Sequence, residues 1–226
     1  MFLEVKFPVP WGHVAAKAWG PPEGHPVLCL HGWLDNANTF DRLIPLLPRD
    51  CRYVAMDFSG HGLSSHRPAG SLYHFLDYVS DVRRVVAASC SSLKQLESLL
   101  SPCHAIFASL PPFFSAAQCL CHVSLRLLEA NRHLTAEGGA ILLQRGATET
   151  PTGKGLLGEG AHLRSDPAPG VGREQCQQPL SSTVQSALDI QLVEVPGSHF
   201  VHLNEPEVVS GIISNFLTAQ HTRARL

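Results

Sequence analysis

The run Val27-Leu28-Cys29-Leu30, stopping abruptly at His31-Gly32-Trp33-Leu34-Asp35, constrains this chain more than any other stretch. A short continuous apolar segment predicts a strand buried on both faces, and such strands belong to parallel sheets covered by helices. The glycine lets the backbone come close to another group at the strand's end. That ending presents backbone N–H groups at the carboxyl edge of a parallel sheet, where α/β folds place ligands and where an enzyme stabilises an oxyanion. A second segment repeats the pattern, since Arg52-Tyr53-Val54-Ala55-Met56 closes on Asp57-Phe58-Ser59-Gly60-His61-Gly62-Leu63-Ser64. Between the two, Phe40, Leu43, Ile44 and Leu47 fall on one face of a predicted short helix, which Pro48-Arg49-Asp50 ends. Strand, helix, strand implies a right-handed parallel crossover.

The flanks extend this unit. Phe2 to Val9 and His13 to Trp19, parted by Pro10-Trp11-Gly12, outline an N-terminal hairpin. Downstream, Phe75, Tyr78, Val79, Val82, Val85 and Val86 line one side of a helix whose Asp81, Arg83 and Arg84 are predicted to face outward. Near the end, Ile190 to Val195 reads as a strand and Pro196-Gly197-Ser198-His199-Phe200 as a turn. Val208, Val209, Ile212, Ile213, Phe216 and Leu217 then form the stripe of a last helix, which Asn204 can cap and Pro206 can start.

At 226 residues and 44% hydrophobic content the chain can bury one sizeable core. Its formal charge of −2 leaves no basic field for nucleic acid, and no apolar run is long enough to span a bilayer. Met1 to Lys6 lacks the basic and long apolar regions of a leader, so a soluble intracellular protein is expected. Seven cysteines at irregular spacings fit a reducing compartment. Cys119-Leu120-Cys121-His122 and Cys103-His104 lack zinc-ligand spacing, so neither a metal nor a cofactor is expected. The pattern specifies no oligomeric state.

Taken in order, the hairpin, the strand ending in His31-Gly32-Trp33, the second strand with Asp57 to Ser64, and the amphipathic helix resemble the N-terminal half of an α/β-hydrolase. More narrowly they resemble the serine hydrolase-like group of vertebrates. The resemblance covers about residues 9 to 88 and resumes at about 188 to 218. It implies an α/β fold with a mostly parallel sheet, flanking helices and an N-terminal hairpin, and hydrolysis of a small ester-like substrate. It further implies that the backbone N–H of Trp33 is an oxyanion donor and that His199 is the general base, with His202 its nearby competitor. Asp57, Gly60 and Gly62 would shape the adjoining loop.

The middle of the chain departs from this pattern. The family continues from the amphipathic helix into a buried strand and a G-x-S-x-G elbow, and no G-x-S-x-G occurs in this sequence. His104 to Ser109 is the stretch that resembles a strand ending in a serine. Ser109 is thus the candidate nucleophile, although it lacks both flanking glycines and Pro111-Pro112 follows it. Leu125 to Gly146 reads as helical and is similar to a piece of the family's cap. From Thr148 to Leu188 frequent Gly and Pro give linker composition. Asp166 and Asp189 are the carboxylates available as a triad acid, neither in the usual context.

The expected division is therefore 1–88, 89–187 and 188–226, with central strands and most of the cap disrupted. Catalysis by this chain is expected to be silent. The alternatives are a non-catalytic protein that binds a small molecule or an intact relative, and an unstable product without function. Ala224-Arg225-Leu226 has the small, basic, Leu pattern of a peroxisomal import signal, so a peroxisomal or perinuclear vesicular location beside a cytoplasmic pool is expected.

Overall fold

The hairpin forms as its spacing predicts. In the computed structural model, which describes residues 1–32, 35–89, 104–107, 133–149, 155–157 and 193–223, β1 (Leu3–Val9) and β2 (Gly12–Trp19) pair antiparallel. Strand β2 then pairs antiparallel with β4 (Cys51–Met56). Strand β3 (His25–Leu30) lies parallel to β4 on one side and to β5 (His104–Phe107) on the other. The sheet order is β1-β2-β4-β3-β5. The strand-like stretch that runs up to Ser109 thus supplies the neighbour that β3 requires, in a strand four residues long.

Alternation along the strands sends side chains to two cores. On one face Val27, Cys29, Tyr53 and Ala55 meet Phe40 and Leu43, and the last helix covers them with Leu217, Ile213, Val209 and Phe216. On the other face Leu28, Leu30, Met56 and Val14 pack against Val85, flanked by Val82 and Val86, from α1 (Phe75–Ser89). Val79, expected on the buried side of α1, is exposed. Asp81, expected to face outward, is wholly buried, because its Oδ2 accepts the Ser59 N–H (3.3 Å) while Arg84 and Arg67 approach its Oδ1 (3.5 and 3.9 Å).

Between β3 and β4 the single helix expected over 40–47 is replaced by two 3₁₀ turns, Ala37–Phe40 and Ile44–Leu46. Pro45 has no N–H to continue a helical ladder, so bonding resumes in i→i+3 steps, Leu46 N–H to Leu43 O and Leu47 N–H to Ile44 O. The apolar positions stay buried all the same. Helix α2 (Ala136–Gly146) is shorter than the 125–146 reading. Residues 125–132 lie outside the described residues, and Thr135 starts the helix by accepting the Gly138 N–H on Oγ1 (3.1 Å).

Within the tract expected to be a linker, β7 (Gly155–Leu157) pairs antiparallel with β6 (Ala147–Glu149). Val193 to Val195, expected to end a strand, are not in one. The short helix α3 (Val201–Asn204) and the long α4 (Glu207–Arg223) close the fold. Among the described residues no helix is long and apolar enough to cross a membrane.

Candidate active site

The carboxyl ends of three parallel strands lie level, because Leu30 pairs with both Met56 and Phe107. His31 and Asp57 are therefore the first residues off two adjacent strands, and everything that follows them gathers at one edge of the sheet.

His31 ties the two loops together. Its Nε2 is 3.0 Å from the Phe58 nitrogen and its Nδ1 is 2.7 Å from the Gly32 oxygen. A backbone N–H can only donate, so Nε2 accepts and the ring proton on Nδ1 goes to Gly32. Burial lowers the His31 pKa to about 4, which keeps the ring neutral in this tautomer. His61 packs 5.3 Å away and donates from Nδ1 to the Ser59 oxygen (3.2 Å); burial, then the neighbouring His31, lower it to about 3. Both rings are neutral braces at physiological pH.

Asp57 is wholly buried and organises the loop after β4. Its Oδ1 accepts the Ala37 N–H (2.8 Å), and its Oδ2 accepts the Leu63 N–H (2.9 Å) and Nε of Arg145 (2.7 Å). Arg145 spends its other nitrogens on Glu4 of the hairpin (2.6 and 3.1 Å). The loop passes so close to this carboxyl that a methyl group on Gly62 would collide with it, and Gly62 also sits at φ +50°. Ser64 closes the loop by donating to the Asp57 carbonyl (2.7 Å) and accepting the Ala15 N–H (2.8 Å).

Helix α2 docks on these loops. Asn36 and Asn38 donate from Nδ2 to the carbonyls of Leu142 and Ile141 (3.0 and 2.8 Å), and Arg145 pins the helix's last turn to Asp57. At the other end the Asn204 side chain is not the expected cap of α4. Its Oδ1 accepts from the Thr135 hydroxyl (2.9 Å) and its Nδ2 donates to the His133 carbonyl (2.7 Å), so it fastens the entry of α2 to the histidine loop. Ser198 donates to the same His133 carbonyl (3.1 Å).

His199 stands half-buried on that loop, its ring edge-on to Phe200 at 5.0 Å. His202 is engaged elsewhere, with Nε2 2.8 Å from Oγ1 of the wholly buried Thr39. Burial, then the adjacent His199, lower the His202 pKa to about 4, so it is neutral at physiological pH. Asp35 is also buried; its Oδ1 accepts the Asn36 N–H (2.8 Å), and burial raises its pKa to about 7. The structure thus brings the histidine loop onto the loop after β3 through Thr39. Trp33, Ser109, Asp166 and Asp189 lie outside the described residues.

Asp35, Asn36, Asn38 and Thr39 were not singled out by the sequence. Their signal was four polar residues in five, beginning five positions after the end of a buried strand, where polar groups must find partners. Arg145 carries no such signal, since a base ending a helix reads as solvated. Among the described residues no group of three or more His, Cys, Asp or Glu is placed to hold a metal.

A sequence model of the α/β hydrolase fold matches residues 25–92. Serine hydrolase-like protein 2 of Homo sapiens is 36% identical over 304 aligned positions, covering 98% of this chain and 96% of that protein. Serine hydrolase-like protein of Mus musculus is 32% identical, covering 99% and 98%. The human alignment is longer than the 226 residues of this chain, so that relative carries internal segments without a counterpart here. Over 88 residues, 39% of this chain and 43% of the relative, identity to another human protein, serine hydrolase-like protein, rises to 69%. Among solved structures, a hypothetical protein of Pseudomonas aeruginosa PAO1 superposes with a TM-score of 0.71 at 23% identity, covering 95% and 99% of the two chains. A thioesterase domain from the curacin biosynthetic pathway gives 0.66 at 19%, covering 94% and 99%. At these identities the two structures speak for the fold alone.

Proposed function

This chain belongs to the α/β-hydrolase superfamily, among its serine hydrolase-like members, and on that premise we propose that it is a non-catalytic member whose cleft receives small ester-like molecules without cleaving them. The observation that carries the reading is the absence of a G-x-S-x-G motif from the sequence. In this fold the strand reached after the amphipathic helix delivers the nucleophile on a strained Gly-flanked turn. Strand β5 occupies that place in the order, and the serine that follows it is Ser109, with Phe107 and Pro111 where the glycines would stand.

Acyl transfer needs a hydroxyl within hydrogen-bond reach of a base and two N–H donors aimed at the developing oxyanion. The chain leaving β3 is braced at His31, and the loop bearing His199 is fastened by Thr39 and Asn204, which supports reading His199 as a ring held in place. The second donor belongs to the residue after the nucleophile and depends on the elbow. In triad enzymes, removing any triad member leaves only about 10³ to 10⁴ over water.

A fluorophosphonate probe and a chromogenic short-chain ester, applied to purified folded chain, test this reading. No labelling is expected, no turnover above buffer, and no difference between the parent and His199→Ala. Labelling that maps to Ser109 and disappears in both Ser109→Ala and His199→Ala would establish a rebuilt serine hydrolase instead. That second reading is favoured by one observation, the presence of β5 beside β3.

A further inference from the structure

We propose that one cross-strand pair of the hairpin, Glu4 and Lys17, is a latch that holds helix α2 down on the loops at the carboxyl edge of the sheet. The two residues stand directly opposite each other in the β1–β2 register. Opposite charges in that position stabilise a hairpin by meeting each other. Here each is committed to another element. The two oxygens of Glu4 accept the forked Nη1 and Nη2 of Arg145, in the last turn of α2 (2.6 and 3.1 Å). Lys17 is buried and spends its three protons on Oδ1 of Asn38 (2.9 Å) and on both carboxylate oxygens of Asp41 (2.5 and 2.7 Å). The Phe2 ring closes over its Nζ at 3.9 Å.

Lys17 grips α2 through Asn38. An ammonium only donates, so the amide oxygen of Asn38 faces Lys17 and its NH₂ group faces the Ile141 carbonyl of α2 (2.8 Å). Both arms of the latch therefore end on the C-terminal half of the helix, at Ile141 and Arg145. The first turn is fastened differently, by the neutral bond of Thr135 to Asn204 (2.9 Å) and by Leu142, Leu134, Leu203 and Phe200 packed together. Helix α2 thus lies across the edge from the histidine loop to the hairpin, as a strap hinged at one end and latched by charge-assisted bonds at the other. Glu4 is the releasable part. Its side chain is 43% exposed, and Arg145 keeps the buried Asp57 as partner when Glu4 lets go (2.7 Å from Nε). That the strap limits entry of a small molecule rests on reading this edge as the ligand cleft; the latch itself does not.

Hydrogen exchange of the full chain tests the latch. Glu4→Ala removes one arm, and Asn38→Asp sets a carboxylate oxygen against the Ile141 carbonyl and removes the other. Each should raise exchange over residues 137–146 about fivefold while residues 3–9 and 12–19 keep the parent rates, and the two together should multiply. In the parent, ¹⁵N spectra should show separate Nη1 and Nη2 signals for Arg145, because the Glu4 fork blocks rotation of the guanidinium, and in Glu4→Ala these should merge. Exchange in α2 unmoved by both variants, or raised equally in the hairpin, would overturn the proposal. Merged Arg145 signals in the parent would do so even if Asn38→Asp does not fold. A latch that responds as stated, in a chain that shows no binding of 4-nitrophenyl butyrate, would leave the strap standing and remove the ligand-cleft reading.

Discussion

Two loops border the same edge of the sheet and are held by different means. The loop after β4 is over-determined: a buried carboxylate with three donors, a buried guanidinium, a serine bonded on both sides, and a glycine with no room for a methyl group. Among the described residues the histidine loop is held by Asn204 and Ser198 toward His133, by His202 toward Thr39 and by the partly exposed Arg42, which donates to the Asn204 carbonyl (3.1 Å). Buried charge must be fully paired or the fold is lost, whereas a loop fastened chiefly by neutral hydrogen bonds can loosen locally while the core stands. The first loop is thus part of the core's stability and the second is a separable unit.

Removing the carboxylate is the hardest blow to that contrast. Asp57→Ala leaves the buried Arg145 with only Glu4 as its carboxylate partner, strips its Nε of an acceptor and orphans the N–H groups of Ala37 and Leu63, so a loss of about 3 to 5 kcal/mol is expected in urea unfolding. Against a usual total of about 5 to 15 kcal/mol, much of the population would unfold. A loss below about 1 kcal/mol would break the distinction between the loops. Gly62→Ala acts on the same carboxyl through strain and collision, and should cost up to about 3 kcal/mol in the same measurement.

On the other side, Asn204→Ala removes the bonds to His133 and Thr135 and should cost about 1 to 3 kcal/mol. Hydrogen exchange should show the change confined to residues 133–138 and 196–204. A uniform rise across β2, β3 and β4 would mean that the histidine loop is no separate unit.

The mildest test uses acid. A histidine buried in its neutral form has a folded pKa below the unfolded 6.5, so the unfolded chain takes up the proton first as pH falls. Stability contributed by such a group is complete above about 6.5 and drains away down to its folded pKa, about 3 for His61 and about 4 for His31 and His202. Asp35 works in the opposite sense, since its folded pKa of about 7 means the folded state binds that proton first. Asp41, Asp57 and Asp81, whose carboxyls burial also pushes up, act in the same sense as Asp35, so each histidine is read by its own substitution. His61→Phe should lower the slope of stability against pH between about pH 6 and 4 by one proton, about 1.4 kcal/mol per pH unit, read from urea midpoints in that range. An unchanged slope would show that His61 is not buried in its neutral form.

What the sequence determined by itself is the part of the molecule written in local pattern. The continuous apolar runs at Val27–Leu30 and Arg52–Met56, the alternating hairpin and the stripe from Val209 to Leu217 each declare their own burial, because a strand or helix repeats at a fixed period whatever it packs against. The same runs mark where the strands stop, and so which edge of the sheet gathers the loops. Tertiary structure alone decided the partners of the buried polar groups. Asp81 turned inward because Ser59 needed an acceptor; Asn204 left the helix it was expected to cap for Thr135 and His133; His202 bonded Thr39; and Arg145 reached Asp57 from 88 residues away. Hydrogen-bond partners are chosen by position in space, and no periodicity along the chain encodes which distant donor arrives beside which acceptor.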